Sequence, residues 1–386
     1  MNRQKNKAAA RLSIGAFFAA LLLLIGLVAG ALFGKHPFGS FNKAFAGTGI
    51  YHTFFMNASD AADTGVRFVA EATPEAIQEE ALKVFGDVTH SKTYCLMRLS
   101  DGKIILEQDM DKIIYPASLT KIMTAVLVAE CGQDLDATKV RITSNIIEYC
   151  NEQNAAVAGY VSGDYASMRD LLYATMLSSG AEACLALARQ VTAEYTARDI
   201  IYGSEEQFVE LMNKKAEELG MTNTHFVTCT GLHDDNHYST AHDMAILFAY
   251  ALQNDLLREI MTTKTYTTQP TRRYSDGIEL KSTVATAFQR AHLDMGWILG
   301  GKTGYTPEAG QCLATLANME YDGEKTDLIL ITTGAGDGSN SVQYHAMDAY
   351  SVFISQVIKQ QNRQVFVDPD SVTEAEEEPS DNEPAA

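Results

Sequence analysis

Strand-like runs of apolar and polar residues lie toward both ends of the folded part of this chain, and helical spacing dominates between them. Thr93–Leu99 and Lys103–Gln108 have strand character, and Ser100-Asp101-Gly102 between them carries turn chemistry, which predicts a β-hairpin. Late in the chain, Cys312–Glu320 and Thr326–Thr333 predict a second pair of strands. They are joined at Tyr321-Asp322-Gly323-Glu324, whose Asp-Gly centre suits a type I′ turn. Leu293–Thr303 predicts another strand, running into Gly301-Lys302-Thr303-Gly304. In the middle, Ser118 to Glu130 predicts a helix with Leu119, Ile122, Met123, Val126 and Leu127 on its apolar face. Arg169–Leu177, Ala181–Tyr195 and Glu206–Leu219 predict three more, the last closed by Gly220 as a C-cap. Thr240-Ala241-His242-Asp243 has capping chemistry and opens a helix to about Gln253. Leu256–Tyr274 reads as a short helix and then a strand, Val140–Thr143 as a short strand, and 339–361 as a long final helix. The stretch 144–167 is polar and poorly patterned. Strands early and late with helices between predict an α/β (α+β) fold: an antiparallel sheet built from both chain ends, flanked by helices, with an inserted helical lobe.

Outside that region the composition changes. Residues 1–11 carry Arg3, Lys5, Lys7 and Arg11 and no acid, and Leu12 to Gly34 is an uncharged, mostly apolar run of 23 residues. About 20 such residues span a bilayer. The one-sided positive charge makes residues 1–34 an export signal or membrane anchor, with the bulk of the protein extracytoplasmic, membrane-anchored or secreted. Ala44-Phe45-Ala46 has the form of a cleavage site but lies ten residues beyond the run, which favours an anchor. Residues 35–90 read as a spacer with one short helix, from Thr73-Pro74-Glu75-Ala76 to Gly86, and 91–362 as the globular domain. The net charge of −19 is unevenly spread: after Arg363 come eight acidic residues and no basic one, so 363–386 is expected to be a disordered acidic tail. No basic cluster points to nucleic acid. The six cysteines form no C-x-x-C pair, and most sit in apolar runs, as buried thiols do.

Three Ser-x-x-Lys pairs occur, at Ser40/Lys43, Ser100/Lys103 and Ser118/Lys121, and only the third opens a helix with an apolar face. Residues three apart share a helix face. Lys121 can then act as the base that activates Ser118, provided desolvation lowers its pKa. Ser179 lies in a tight helix–helix turn, and Lys302-Thr303-Gly304 on a strand offers a cation, a hydroxyl and a close backbone approach. His233 and His237 have metal-like spacing, but no third ligand falls at metal spacing, so they read as hydrogen-bonding loop histidines.

These pieces, taken in order, resemble the serine-type D-alanyl-D-alanine carboxypeptidases, the low-molecular-mass penicillin-binding proteins. The likeness runs from Tyr94 to Ala335 and includes Pro116-Ala117-Ser118-Leu119-Thr120-Lys121, Phe208–Gly220, Gly231-Leu232-His233-Asp234, His237-Tyr238-Ser239-Thr240-Ala241 and Lys302-Thr303-Gly304-Tyr305-Thr306. The resemblance implies removal of the terminal D-alanine from a peptidoglycan pentapeptide through an acyl-enzyme. Ser118 would be the nucleophile, Lys121 the base and Ser179 the proton donor to the leaving amine. Lys302, Thr303, Gly304 and Tyr305 would bind substrate, with the backbone N–H groups of Ser118 and Tyr305 forming the oxyanion hole. It implies no metal or organic cofactor, and β-lactams as inhibitors.

The family's middle motif, Ser-x-Asn, reads Ser179-Gly180-Ala181 here. A lost hydrogen bond of about 0.5–3 kcal/mol lowers a rate by one or two decades. Glu182 is a candidate to take over part of that task, and a catalytically impaired muropeptide- or β-lactam-binding protein is the alternative function. Glu210-Leu211-Met212-Asn213 has the Glu-x-x-Asn form of a β-lactamase deacylating motif, but inside an amphipathic helix. Many relatives carry a further β-rich domain and a C-terminal amphipathic helix. Here the acidic tail follows directly, and the N-terminal run is expected to take the membrane role.

Overall fold

The computed structural model describes residues 90–195, 200–201, 203–336 and 342–365. The expected anchor, the spacer helix and almost all of the acidic tail lie outside the described residues. Among the described residues no helix is long and apolar enough to cross a membrane.

The elements follow in chain order. Strands β1 (Thr93–Arg98) and β2 (Ile104–Gln108) are followed by a 3-10 turn, Ala117–Thr120, and helix α1 (Lys121–Glu130). Next come β3 (Lys139–Arg141), α2 (Ser144–Glu152), β4 (Tyr165–Ser167), α3 (Met168–Leu177) and α4 (Ala181–Val191). The short pair β5 (Glu194–Tyr195) and β6 (Ile200–Ile201) precedes α5 (Glu205–Glu218), α6 (Ala241–Ala251) and α7 (Asp255–Thr262). Strands β7 (Thr265–Thr267) and β8 (Glu279–Lys281), helix α8 (Thr283–Arg290), strands β9 (Ile298–Thr306), β10 (Gly310–Tyr321) and β11 (Glu324–Ala335), and helix α9 (Tyr344–Val365) complete the order.

The main sheet has the order β2-β1-β11-β10-β9, and its neighbouring strands are antiparallel. The first and last strands among the described residues therefore meet within it, with Thr93 opposite Thr333 and Leu96 opposite Leu330. This is the expected antiparallel sheet from both chain ends. Asp322 and Gly323 both have positive φ, 53° and 81°, as a type I′ turn requires.

The sheet is covered on both faces, and the alternation along its strands shows it. Cys95, Met97, Ile329 and Ile331 join the core of the helical lobe. Their chain neighbours Leu96, Leu328 and Leu330 join a second core with Val284 and Phe288 of α8 and Val352 and Phe353 of α9. Such strands are nearly continuously apolar, which is why the runs around Leu328–Ile331 read so plainly.

Several expectations change in detail. The poorly patterned stretch 144–167 contains α2 and β4. Helix α2 buries only Ile146 and Cys150, four residues apart, too narrow a stripe to stand out. The helix expected over Ala181–Tyr195 ends at Val191, and Glu194–Tyr195 pairs as a strand. Helix α8, rich in Thr and Ala, had no sequence counterpart, and β9 begins at Ile298 rather than Leu293. The final helix begins at Tyr344.

One buried carboxylate ties the first described residues to the final helix. Asp348 of α9, 1% exposed, accepts hydrogen bonds from the backbone N–H groups of His90 and Ser91, at 2.9 and 2.7 Å, and from the Ser91 hydroxyl at 2.5 Å. Removing an acceptor shared by several buried donors leaves them unsatisfied. Asp348→Ala is therefore expected to lower unfolding free energy by about 2–4 kcal/mol in urea titration.

Candidate active site

Ser118 sits in the 3-10 turn, where residues three apart eclipse one another. The expected first turn of an α-helix is thus a tighter turn, which aligns Ser118 with Lys121 more directly. The turn is entered through Ala117 at φ 48°, a left-handed conformation that is costly for a residue with a Cβ. Lys121, 2% exposed, donates to Ser118 Oγ at 3.0 Å and to the Thr230 carbonyl at 2.7 Å.

That carbonyl comes from the loop before Gly231. Gly231 has φ 78°, and a Cβ there would lie 1.9 Å from the Ala117 carbonyl oxygen, so only glycine lets the loop rest against the serine turn. Thr124 of α1 donates to the Cys229 carbonyl at 2.8 Å and ties down the same loop.

Ser179 lies between α3 and α4 at φ 58°, again left-handed. Lys302 of β9 is fully buried and donates to Ser179 Oγ at 2.9 Å and to the Thr303 carbonyl at 2.7 Å. Its amine is therefore not an open cation; its charge acts through Ser179. Thr303 donates its hydroxyl to Thr283 of α8 at 2.7 Å. A Cβ on Gly304 would stand 3.1 Å from both the Pro116 carbonyl and the Ser118 nitrogen, so the edge strand β9 lies close against the serine turn there.

Burial pushes the Lys121 pKa down, with the surrounding thiols of Cys184, Cys229 and Cys150 and the Glu182 carboxylate working the other way. Burial lowers Lys302 further, to well below the ordinary lysine value, and the Lys121 charge adds to the effect. Two amines that can exist neutral, each on a serine hydroxyl, form an arrangement suited to taking a proton from one hydroxyl and delivering one through the other.

Ser118, Lys121, Ser179, Thr303, Gly304 and Tyr305 line one cleft of about 840 Å³, with Lys302 just beneath its wall. The cleft has further walls that sequence reasoning missed. Thr283, Thr286 and Arg290 face it from α8, the helix whose pattern was too weak to see. Gln153 and Asn154 face it from the end of α2, on the side of Ala181.

Glu182 does not stand in for the motif asparagine. Its side chain is fully buried, and Oε1 accepts from the backbone N–H groups of Ala158, Gly159 and Tyr160 at 2.7, 2.9 and 3.3 Å. It pins the 158–160 segment instead. Glu210 and Asn213 lie in α5, where Asn213 exchanges hydrogen bonds with the Phe226 backbone, and neither lines the cleft. The two spaced histidines part company: His233 lines the cleft edge-on to Tyr115, while His237 is buried behind the serine turn. All six cysteines are free thiols, five of them buried.

A mixed α/β fold with a serine and a lysine on one turn, faced by a second lysine on an edge strand, defines a class of active-serine hydrolases. The peptidase family S11 model, described as D-alanyl-D-alanine carboxypeptidase, matches residues 79–336, and the chain belongs to this family. It is 31% identical over 249 residues to D-alanyl-D-alanine carboxypeptidase DacF of Bacillus subtilis, covering 63% of this chain and 58% of that protein. It is 36% identical over 200 residues to D-alanyl-D-alanine carboxypeptidase DacC of Escherichia coli, covering 50% and 44%. The chain thus spans about half the length of these curated relatives. The crystal structure of the Streptomyces K15 DD-transpeptidase superposes with a TM-score of 0.58 at 28% identity, over 70% of this chain and 98% of that one.

The close approach at Gly304 yields a test. Gly304→Ala is expected to slow fluorescent-penicillin labelling by about tenfold or more, because a small displacement of reacting groups is costly. The melting temperature should fall by no more than about 5 °C, since the conflict is a single methyl against the backbone of the serine turn at 3.1 Å.

Proposed function

We propose that this protein is a serine D,D-carboxypeptidase that removes the terminal D-alanine from peptidoglycan pentapeptides. The observation that carries this reading is the convergence of Lys121 on Ser118, at 3.0 Å, and Lys302 on Ser179, at 2.9 Å, around one cleft. Ser118 Oγ attacks the penultimate carbonyl while Lys121 takes its proton. The oxyanion is held by the backbone N–H groups of Ser118 and Tyr305. The C–N bond breaks as a proton passes from Lys302 through Ser179 to the departing amine, leaving the acyl group on Ser118. Water then attacks the acyl carbonyl and releases the tetrapeptide, Lys121 giving its proton back to Ser118 Oγ and a proton from the water recharging Lys302 through Ser179. The substrate's free carboxylate meets the Thr303 hydroxyl and, across the cleft, Arg290 of α8. β-Lactams, whose amide carbonyl mimics the scissile one, acylate the same serine. The domain limits 91–362 and the seven residues Ser118, Lys121, Ser179, Lys302, Thr303, Gly304 and Tyr305 belong to this proposal.

The apolar run 12–34 and its positive flank support an extracytoplasmic enzyme held at, or released from, the cell membrane.

Ala181 favours a second reading, a binding protein without turnover, because its side chain offers the cleft no polar atom. Purified protein incubated with diacetyl-Lys-D-Ala-D-Ala is expected to release D-alanine, and Ser118→Ala to abolish both release and penicillin labelling. Labelling without release selects the second reading; absence of both overturns the proposal. Ala181→Asn is expected to raise the release rate by up to about two decades.

The lowered Lys121 pKa sets a pH dependence. Only the neutral amine accepts the serine proton, so acylation is lost as pH falls through that pKa and gained as pH rises. The acid limb of the penicillin acylation rate should lie below 10.5, the ordinary lysine value. A limb at or above that value would remove Lys121 as the base.

A further inference from the structure

We propose that His237 is a positioning residue for acylation, acting on Lys121 through the loop that carries the Thr230 carbonyl. This rests on the acyl-serine reading above. His237 is 2% exposed and does not line the cleft. Its Nδ1 accepts from the backbone N–H of Val227 at 3.0 Å and of Thr228 at 3.3 Å. A nitrogen that accepts from two N–H groups carries no proton, so the tautomer is fixed, and Nε2–H donates to Thr120 Oγ1 at 2.8 Å. Burial holds its pKa down to about 4, which keeps that neutral form across the neutral range.

The imidazole therefore bridges two segments that must stay in register. On one side is Thr120, the residue between Leu119 and Lys121 at the end of the serine turn. On the other is the start of the loop whose Thr230 carbonyl receives the Lys121 amine at 2.7 Å. The two segments are already in near contact: a Cβ on Gly231 would lie 2.8 Å from Thr120 Oγ1. Both Lys121 acceptors are thus set by His237, Ser118 Oγ through the turn and the Thr230 carbonyl through the loop. A long lysine side chain needs two fixed acceptors to hold its amine on the serine oxygen, and Ala181 offers it none.

The test uses the full chain and stopped-flow labelling with a fluorescent penicillin, which separates non-covalent binding from the acylation rate constant. His237→Phe keeps the ring and removes both nitrogens. It is expected to lower the acylation rate constant by about 10- to 100-fold while pre-acylation binding changes by less than about twofold. His237→Gln, with one donor and one acceptor, is expected to recover most of the loss. Thr120→Val removes the bond from the other side and serves where His237→Phe fails to fold. Combined with His237→Phe, its effect should be clearly less than additive, since both changes remove the same bridge. Wild-type acylation by His237→Phe, an equal loss in His237→Phe and His237→Gln, or a loss confined to binding would each overturn the proposal. Unlabelled wild-type protein would instead overturn the acyl-serine reading itself.

Discussion

Two buried lysine amines, Lys121 and Lys302, lie within electrostatic reach of each other, and the polar order of the cleft follows from satisfying both. Taking one ammonium out of water costs several kcal/mol. Each charge-assisted hydrogen bond returns about 1.5–3 kcal/mol. Each lysine has two oxygens, a serine hydroxyl and a backbone carbonyl, so burial and pairing nearly balance. Burial keeps the upper hand and lowers both pKa values, and at Lys302 the Lys121 charge adds to the effect. A proton on either amine is loosely held, which is the property that serine acylation needs. The left-handed backbone at Ala117 and Ser179 costs on the order of 1–3 kcal/mol at each residue. It persists because these residues aim the two hydroxyls at the two amines.

The parts of this arrangement made of side chains on regular elements could be read from the sequence. The doubly covered strands gave long apolar runs, and the Asp322-Gly323 turn and the Gly220 cap carried their own chemistry. Ser118, Lys121, Ser179 and Lys302 each stood where a pattern changed, from loop to helix or strand to glycine. The parts made of backbone or weak pattern were not legible. The Thr230 carbonyl leaves no mark in the residue type at 230. Helix α8, with Thr283, Thr286 and Arg290 facing the cleft, has a small and polar sequence that resembles a linker. Helix α2 buries two residues and projects Gln153 and Asn154 from its end. Glu182 follows Ala181 in sequence but does not follow it to the cleft. On a helix the next residue points about 100° away, here toward the 158–160 backbone.

The alanine at 181 takes its meaning from that same division between side chain and backbone. An asparagine amide facing the active lysine can be lost by one codon change. A carbonyl cannot, because residue 230 presents one whatever its side chain. With the Thr230 carbonyl as acceptor, the burden rests on the loop's conformation and not on one side chain. That conformation rests on Gly231 against Ala117, on Thr124 bonded to Cys229, and on His237 bonded to Val227, Thr228 and Thr120. The lysine has its two oxygens, whereas Ala181 offers the cleft no polar atom. The hydrogen bonding of the Lys121 amine therefore does not depend on the residue at 181. This division separates what holds the Lys121 amine on Ser118 from what the side chain at 181 presents to the cleft.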